Sequence, residues 1–202
     1  RNDNNSLTFQ LYANYNKVFG QHAFNLMAGY EDYAFNWENE GAWRNNYVLS
    51  SYPYLNLGPE DQQYNNGSAG HNAYRSYFGR LMYSYANRYL LQVNVRSDGS
   101  SRFAPGHRYG TFWSVGLNWR ISEENFMKDI TWLDDLKLRA SYGTSGNKTS
   151  DYLYGYQAFY EGGANYNGES GFRHSQLANP DLSWEKSKNL SLIHISEPTR
   201  RS

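Results

Sequence analysis

Phe112-Trp113-Ser114-Val115-Gly116-Leu117-Asn118-Trp119-Arg120-Ile121 is the stretch that decides the fold. Trp113, Val115, Leu117, Trp119 and Ile121 fall on one side of an extended chain. Phe112, Ser114, Gly116, Asn118 and Arg120 fall on the other. A strand sends successive side chains to opposite faces, so this segment has one apolar wall and one mostly wet wall.

The alternation recurs outward in both directions. Residues 7–15 place Leu7, Phe9, Leu11, Ala13 and Tyr15 on one face, and the next strand carries Phe24, Leu26, Ala28 and Tyr30 before running on toward Trp43. A third strand sets Tyr77, Gly79, Leu81, Tyr83 and Tyr85 against Arg80 and Ser84. A fourth sets Tyr89, Leu91, Val93 and Val95 against Gln92, Asn94 and Arg96, and a sixth sets Leu136, Leu138, Ala140 and Tyr142 against Lys137, Arg139 and Ser141. A seventh begins near Leu182. Connections are predicted at 20–22 (short), 45–72 (long), 87–88 (short), 98–110 (long), 122–135 (medium) and 144–180 (long), the last with extra strand in 152–160. Segment 122–135 reads as a short helix, with Ser122 as N-cap and Phe126, Met127 and Ile130 as its apolar side. Every Pro lies outside the predicted spans, as a backbone without water requires.

Short turns at one end and long polar loops at the other describe an antiparallel transmembrane β-barrel wall with lipid outside and polar groups inside. The expected fold class is all-β: an open curved sheet of about seven strands, with one short helix in a periplasmic turn. A soluble β-sandwich also alternates, but its strands are usually about 5–6 residues, against the 9–11 of a tilted membrane strand. A mean hydropathy of −0.85 argues against spanning helices only, since a barrel spends every second residue on lipid. Twenty Tyr, six Trp and ten Phe suit membrane interfaces, where a ring has one apolar and one wet end. The 19 basic and 19 acidic side chains cancel, so no global field points to nucleic acid. With no Cys there is no thiol chemistry. Residue 1 is Arg and no signal peptide is visible, so the chain is expected to be a fragment.

No catalytic constellation stands out, and neither a cofactor nor a metal is expected. His22, His71, His107, His174 and His194 lack ligand spacing. The segment 143–149 lacks the Gly before Lys that a phosphate loop needs. Glu123-Glu124 and Asp134-Asp135 read as solvated turn charges. Asp98-Gly99-Ser100-Ser101-Arg102 tops a strand whose inward residues include Asn94 and Arg96; it is either a vestibule loop or a turn in which Asp98 pairs with Arg102. Trp43, Tyr52, Tyr54, Tyr64, Tyr154, Tyr156 and Tyr160 are expected in outer loops, where aromatics stack on sugar rings, pack against peptides or pack against each other.

Several long motifs then appear in order. They are Tyr15-Asn16-Lys17-Val18-Phe19-Gly20 with Gly29-Tyr30-Glu31, Arg88-Tyr89-Leu90-Leu91, and Val95-Arg96-Ser97-Asp98-Gly99-Ser100-Ser101-Arg102-Phe103. Trp119-Arg120-Ile121-Ser122-Glu123-Glu124 with Phe126-Met127 follows, then Leu136-Lys137-Leu138-Arg139-Ala140-Ser141-Tyr142-Gly143 with Gly146-Asn147, then Asn179-Pro180-Asp181-Leu182-Ser183-Trp184-Glu185-Lys186. Together they resemble the barrel of SusC/RagA-type TonB-linked outer-membrane proteins over most of residues 7–190. That resemblance implies a bacterial outer-membrane receptor, not an enzyme. It implies TonB-driven import of an oligosaccharide or peptide, with a SusD-type surface lipoprotein as lid. The family's plug and TonB-contacting segment are not in this stretch. A passive porin, or a surface carbohydrate-binding adhesion module, is the alternative.

The wall residues expected to face lipid are Leu81, Tyr83, Leu91, Val93, Trp113, Val115, Leu117, Trp119 and Leu138. Those expected to face the lumen are Arg80, Asn94, Arg96, Asn118, Arg120 and Arg139. Trp43, Asp98, Arg102 and Tyr154 are candidates for ligand contact. Residues 191–202 resemble the translation of a transposase sequencing adapter and are set apart as an artefact tail, leaving 1–190 as the barrel portion.

Overall fold

The computed structural model describes residues 1–130, 132–148 and 153–198. Its strands are β1 (Asn2–Phe19), β2 (His22–Arg44), β3 (Gln63–Tyr85), β4 (Tyr89–Ser100), β5 (Tyr109–Arg120), β6 (Leu133–Asn147), β7 (Phe159–Gly162), β8 (Phe172–Gln176) and β9 (Glu185–Pro198). Seven of them form one open antiparallel sheet in the order β1-β2-β3-β4-β5-β6-β9, and β7 with β8 makes a separate hairpin. The feet are joined tightly: Gly20 takes φ +57° in the first turn, and Ala86 and Asn87 both take positive φ in the second. Two left-handed central residues match the right-handed twist of the strands they join.

Register turns sequence alternation into continuous rows, because directly paired residues share a face. Leu26, Leu81, Val93, Val115 and Tyr142 pair in sequence across five strands, as do Phe24, Tyr83, Leu91, Leu117 and Ala140. Trp119 and Leu138 lie one row lower, and Trp113 one row higher beside Val95. On the reverse face Met27, Arg80, Asn94 and Ser114 form one row, and Phe78, Arg96 and Phe112 the next. All nine predicted wall residues thus lie on one face, and all six predicted inward residues lie on the other.

No second layer covers the apolar face among the described residues. Leu117 is 57% exposed and Trp113 42%, and the main backbone contacts of the sheet's strands are with their sheet neighbours and with the 3-10 turns at their ends. That excludes a β-sandwich, whose inner faces interdigitate. The only fully buried apolar ring among the described residues, Phe103, is in the 101–108 loop. An aromatic belt runs along the strand feet. Phe19 meets Phe24, Phe24 lies 4.9 Å from Tyr83, Tyr85 stacks on Tyr89, and Tyr89 stacks on Trp119 at 6.3 Å. A second set, Phe9–Tyr30–Tyr77 and Trp113–Tyr142, sits farther up the same face.

The structure departs from expectation at several elements. The predicted helix in 122–135 is two single 3-10 turns, Ile121–Glu123 and Asn125–Met127. Ser122 does not cap a helix; its hydroxyl donates to Asp135 at 3.2 Å. The loop predicted over 45–72 is shorter, because β3 begins at Gln63 and pairs with β2 out to Arg44. The predicted 144–180 loop starts after Asn147 and carries the β7–β8 hairpin, so the extra strand is Phe159–Gly162. Tyr152, the start of that prediction, lies outside the described residues. The strands have 12–23 residues in the first five cases, longer than the predicted spans. Residues 191–198, set apart in sequence, continue β9 along β6, with Pro198 as the last strand residue.

Candidate functional site

The polar face is built in three storeys. At the feet, Arg120 is tied down by Glu123 at 2.9 Å and by the Asn87 carbonyl at 3.3 Å. Asn118 and Arg139 sit opposite one another. Midway, Asn94 donates to Ser114 at 3.0 Å, and Gln92 donates to Asn94 at 3.3 Å. Above them is a dense charge cluster. Arg96 bonds Asp98 at 2.6 Å and the Ser76 hydroxyl at 3.0 Å, and lies 3.9 Å from Glu31. Gln10 donates to Glu31 at 2.5 Å, and the Arg96 guanidinium lies over the Phe78 ring. Gly29 makes room for that ring: a Cβ there would come within 2.3 Å of it.

Aromatics line the same hollow. Tyr33 stacks on Tyr74, and Lys148 donates to the Tyr74 hydroxyl at 2.9 Å while lying over its ring. Trp184 closes one side, and the hollow measures about 550 Å³. Paired charges of both signs beside three aromatic rings suit a polar, hydrogen-bonding solute with flat apolar faces.

The shelf above is cross-tied by rings and hydrogen bonds. Phe103, fully buried, packs on Trp184 at 5.4 Å, and Phe112 meets that indole edge-on at 5.6 Å. Trp184 donates to the Arg108 carbonyl, Arg108 donates to the Phe103 carbonyl, and Ser101 exchanges two hydrogen bonds with Ala73. Asp98 faces Arg96, and Arg102 donates to Asn72 at 3.4 Å. The expected Asp98–Arg102 turn pair is thus replaced, at Asp98, by a partner two residues back on the same strand face.

Two other ligand candidates stand apart from the cluster. Trp43 stacks on Tyr64 at 5.6 Å where β2 and β3 still pair, so both are strand residues instead of loop residues. Tyr154 accepts the His71 amide at 3.3 Å and lines a separate hollow with Asn36, Trp37 and His71.

Glu124, read as a solvated turn charge, is instead a clamp with a side chain only 12% exposed. It accepts from the Tyr89 hydroxyl at 2.5 Å and the Trp119 indole at 3.0 Å, and pairs with Arg88 at 3.4 Å. These contacts, the Tyr89 hydroxyl first, hold its carboxyl below the usual carboxylate range.

Known proteins share this architecture. A family model described as "TonB dependent receptor-like, beta-barrel" matches residues 1–192. The TonB-dependent receptor SusC of Bacteroides thetaiotaomicron is 36% identical over 191 residues, covering 90% of this chain and 18% of that protein. TonB-dependent receptor P3 of Formosa agariphila is 35% identical over 200 residues, covering 95% and 19%. A solved structure of the RagAB peptide transporter superposes with a TM-score of 0.87 at 28% identity, covering 98% of this chain and 22% of that one. The chain therefore spans about a fifth of the length of the relatives it matches.

Proposed function

This chain belongs to the TonB-dependent receptor-like β-barrel family, and from that premise we propose that residues 1–190 are wall of an outer-membrane importer. Lipid meets the Trp113–Val115–Leu117–Trp119 row, and the polar face lines the passage. The long connections 45–62, 101–108 and 148–184 face the medium. The cargo is a polar nutrient of the oligosaccharide or peptide class. A SusD-type lipoprotein covers the passage from outside, and TonB supplies energy through a segment outside this chain. Residues 191–202 are read as a tail of foreign origin; the family match ending at residue 192 supports this.

The observation that carries the reading is the Glu31–Arg96–Asp98 cluster beside Tyr33, Tyr74 and Trp184. It is a built polar site on the face opposite an apolar face that no layer of the described residues covers. The test is uptake in a host lacking its own receptor, supplied with the full-length protein. Arg96→Ala and Trp184→Ala should each lower uptake of the transported oligosaccharide or peptide at least tenfold while the barrel stays in the outer membrane. Wild-type uptake by both variants would remove the cluster from the cargo path.

A further inference from the structure

Four charged side chains line the hollow beside Trp184: Glu31, Asp98, Arg96 and Lys148. Two of them cancel. Asp98 holds Arg96 at 2.6 Å, and the guanidinium's other hydrogen bond goes to the neutral Ser76 hydroxyl. Glu31 approaches the same guanidinium only to 3.9 Å, beyond hydrogen-bond range, and its close donor is the neutral amide of Gln10. One cation thus serves two carboxylates, and a negative charge is left over at Glu31.

Lys148 leaves the opposite charge over. Among the described residues its ammonium meets the Tyr74 hydroxyl and the face of the same ring, and no carboxylate pairs with it. The two leftover charges do not meet each other. Glu31 shares a row with Ser76 and Asp98, whereas Tyr33 and Tyr74 form the next inward row, about 7 Å farther up the strands. Lys148 is fixed at that upper row, beside the stacked Tyr33–Tyr74 rings. A carboxylate whose side chain is only 28% exposed has given up part of its hydration, and here no full ion pair repays it.

We propose that the hollow selects a zwitterionic solute, its ammonium on Glu31 and its carboxylate on Lys148. The proposal rests on the importer reading above and narrows its cargo. A neutral oligosaccharide carries neither charge, and a singly charged solute answers one and leaves the other. Complementary charge of this kind confers selectivity more than raw affinity, because the wrong partner leaves a charge unmatched. The arrangement also orients the solute: its cationic end lies on the lower row, and its anionic end lies above, on the side of the long connections.

The experiment uses the full-length receptor in outer-membrane vesicles and three probes read by saturation-transfer NMR. They are 6-aminohexanoate, whose extended chain spans the spacing of the two rows, and its one-charge analogues hexylamine and hexanoate. The zwitterion should bind at least tenfold more tightly than either analogue. Glu31→Gln should leave it no better than hexanoate, Lys148→Met should leave it no better than hexylamine, and Lys148→Arg should keep the full preference. Equal binding of the three probes to the wild type, or binding of none, overturns the proposal, as does a preference that survives both Glu31→Gln and Lys148→Met. If a variant fails to insert, the wild-type ranking of the three probes decides. A wild-type receptor that never enters the outer membrane defeats the importer reading instead, which separates the two failures.

Discussion

Leu117 and Asn118 are neighbours in the chain and belong, on the proposed reading, to different solvents. An arginine on the lipid side near mid-height costs about 2–4 kcal/mol, and one on the lumen side much less. Leu117→Arg should therefore lower folding stability by that amount in urea titrations in lipid vesicles. The fitting control is Gln92→Arg, because Asn118 is paired across the ladder with Arg139 and a second cation directly opposite it would be repelled. Equal losses at 117 and 92 would refute the assignment of faces. Glu124 makes the second prediction at this scale. Its folded pKa lies below the unfolded one, so its stabilisation is present above the ordinary carboxylate pKa of about 4.3 and is lost as pH falls through the lower folded value. Glu124→Gln should lower the melting temperature at pH 7 and flatten the melting curve's dependence on acid. An unchanged acid profile would show that the Tyr89–Trp119–Arg88 clamp contributes nothing.

At the scale of the element, the 101–108 loop depends on a residue from another connection. Removing the indole in Trp184→Ala exposes Phe103 and Phe112; Trp184 is half-buried, so the loss lies below the about 3–5 kcal/mol of a fully buried Trp. The loss is local. Trypsin should cut after Arg102 and Arg108 many times faster, while global melting moves little; unaltered cleavage would mean the shelf holds without Trp184. The strands themselves were legible because a period of two survives without knowledge of what packs where: Leu81 and Arg80 declare their faces by parity alone. The 122–135 segment misled because Phe126, Met127 and Ile130 have helical spacing. Its ends are tethered, through Ser122 to Asp135 and Glu124 to Tyr89, and only single 3-10 turns span the gap. The extent of β3 was hidden because its first half, Gln63-Tyr64-Asn65-Asn66-Gly67-Ser68, carries turn-forming residues, and only pairing with β2 makes it strand. The Glu31–Arg96 contact could not be read at all, since it joins strands two places apart in the sheet and needs both registers to be known.

For the whole molecule, an apolar face that nothing covers and three buried apolar residues, among the described ones, are less core than a water-soluble domain of this length needs. The full-length protein should fractionate with outer membranes and run faster unboiled than boiled on a denaturing gel, as a closed barrel does; recovery in the soluble fraction without detergent would defeat the membrane reading. Strand lengths add a consequence. β2 and β3 have 23 residues each against 12 in β4 and β5. At about 3.3 Å per residue they extend roughly 75 Å, while the lipid-contacting band of such barrels is about 25 Å tall. On the proposed reading the excess stands clear of the bilayer as a spire of β2 and β3, joined by β1 as far as Asn39 and crowned by the Trp43–Tyr64 stack. On that reading, whatever approaches the cell from outside, an antibody or a phage tail included, would reach that spire before the mouth of the pore.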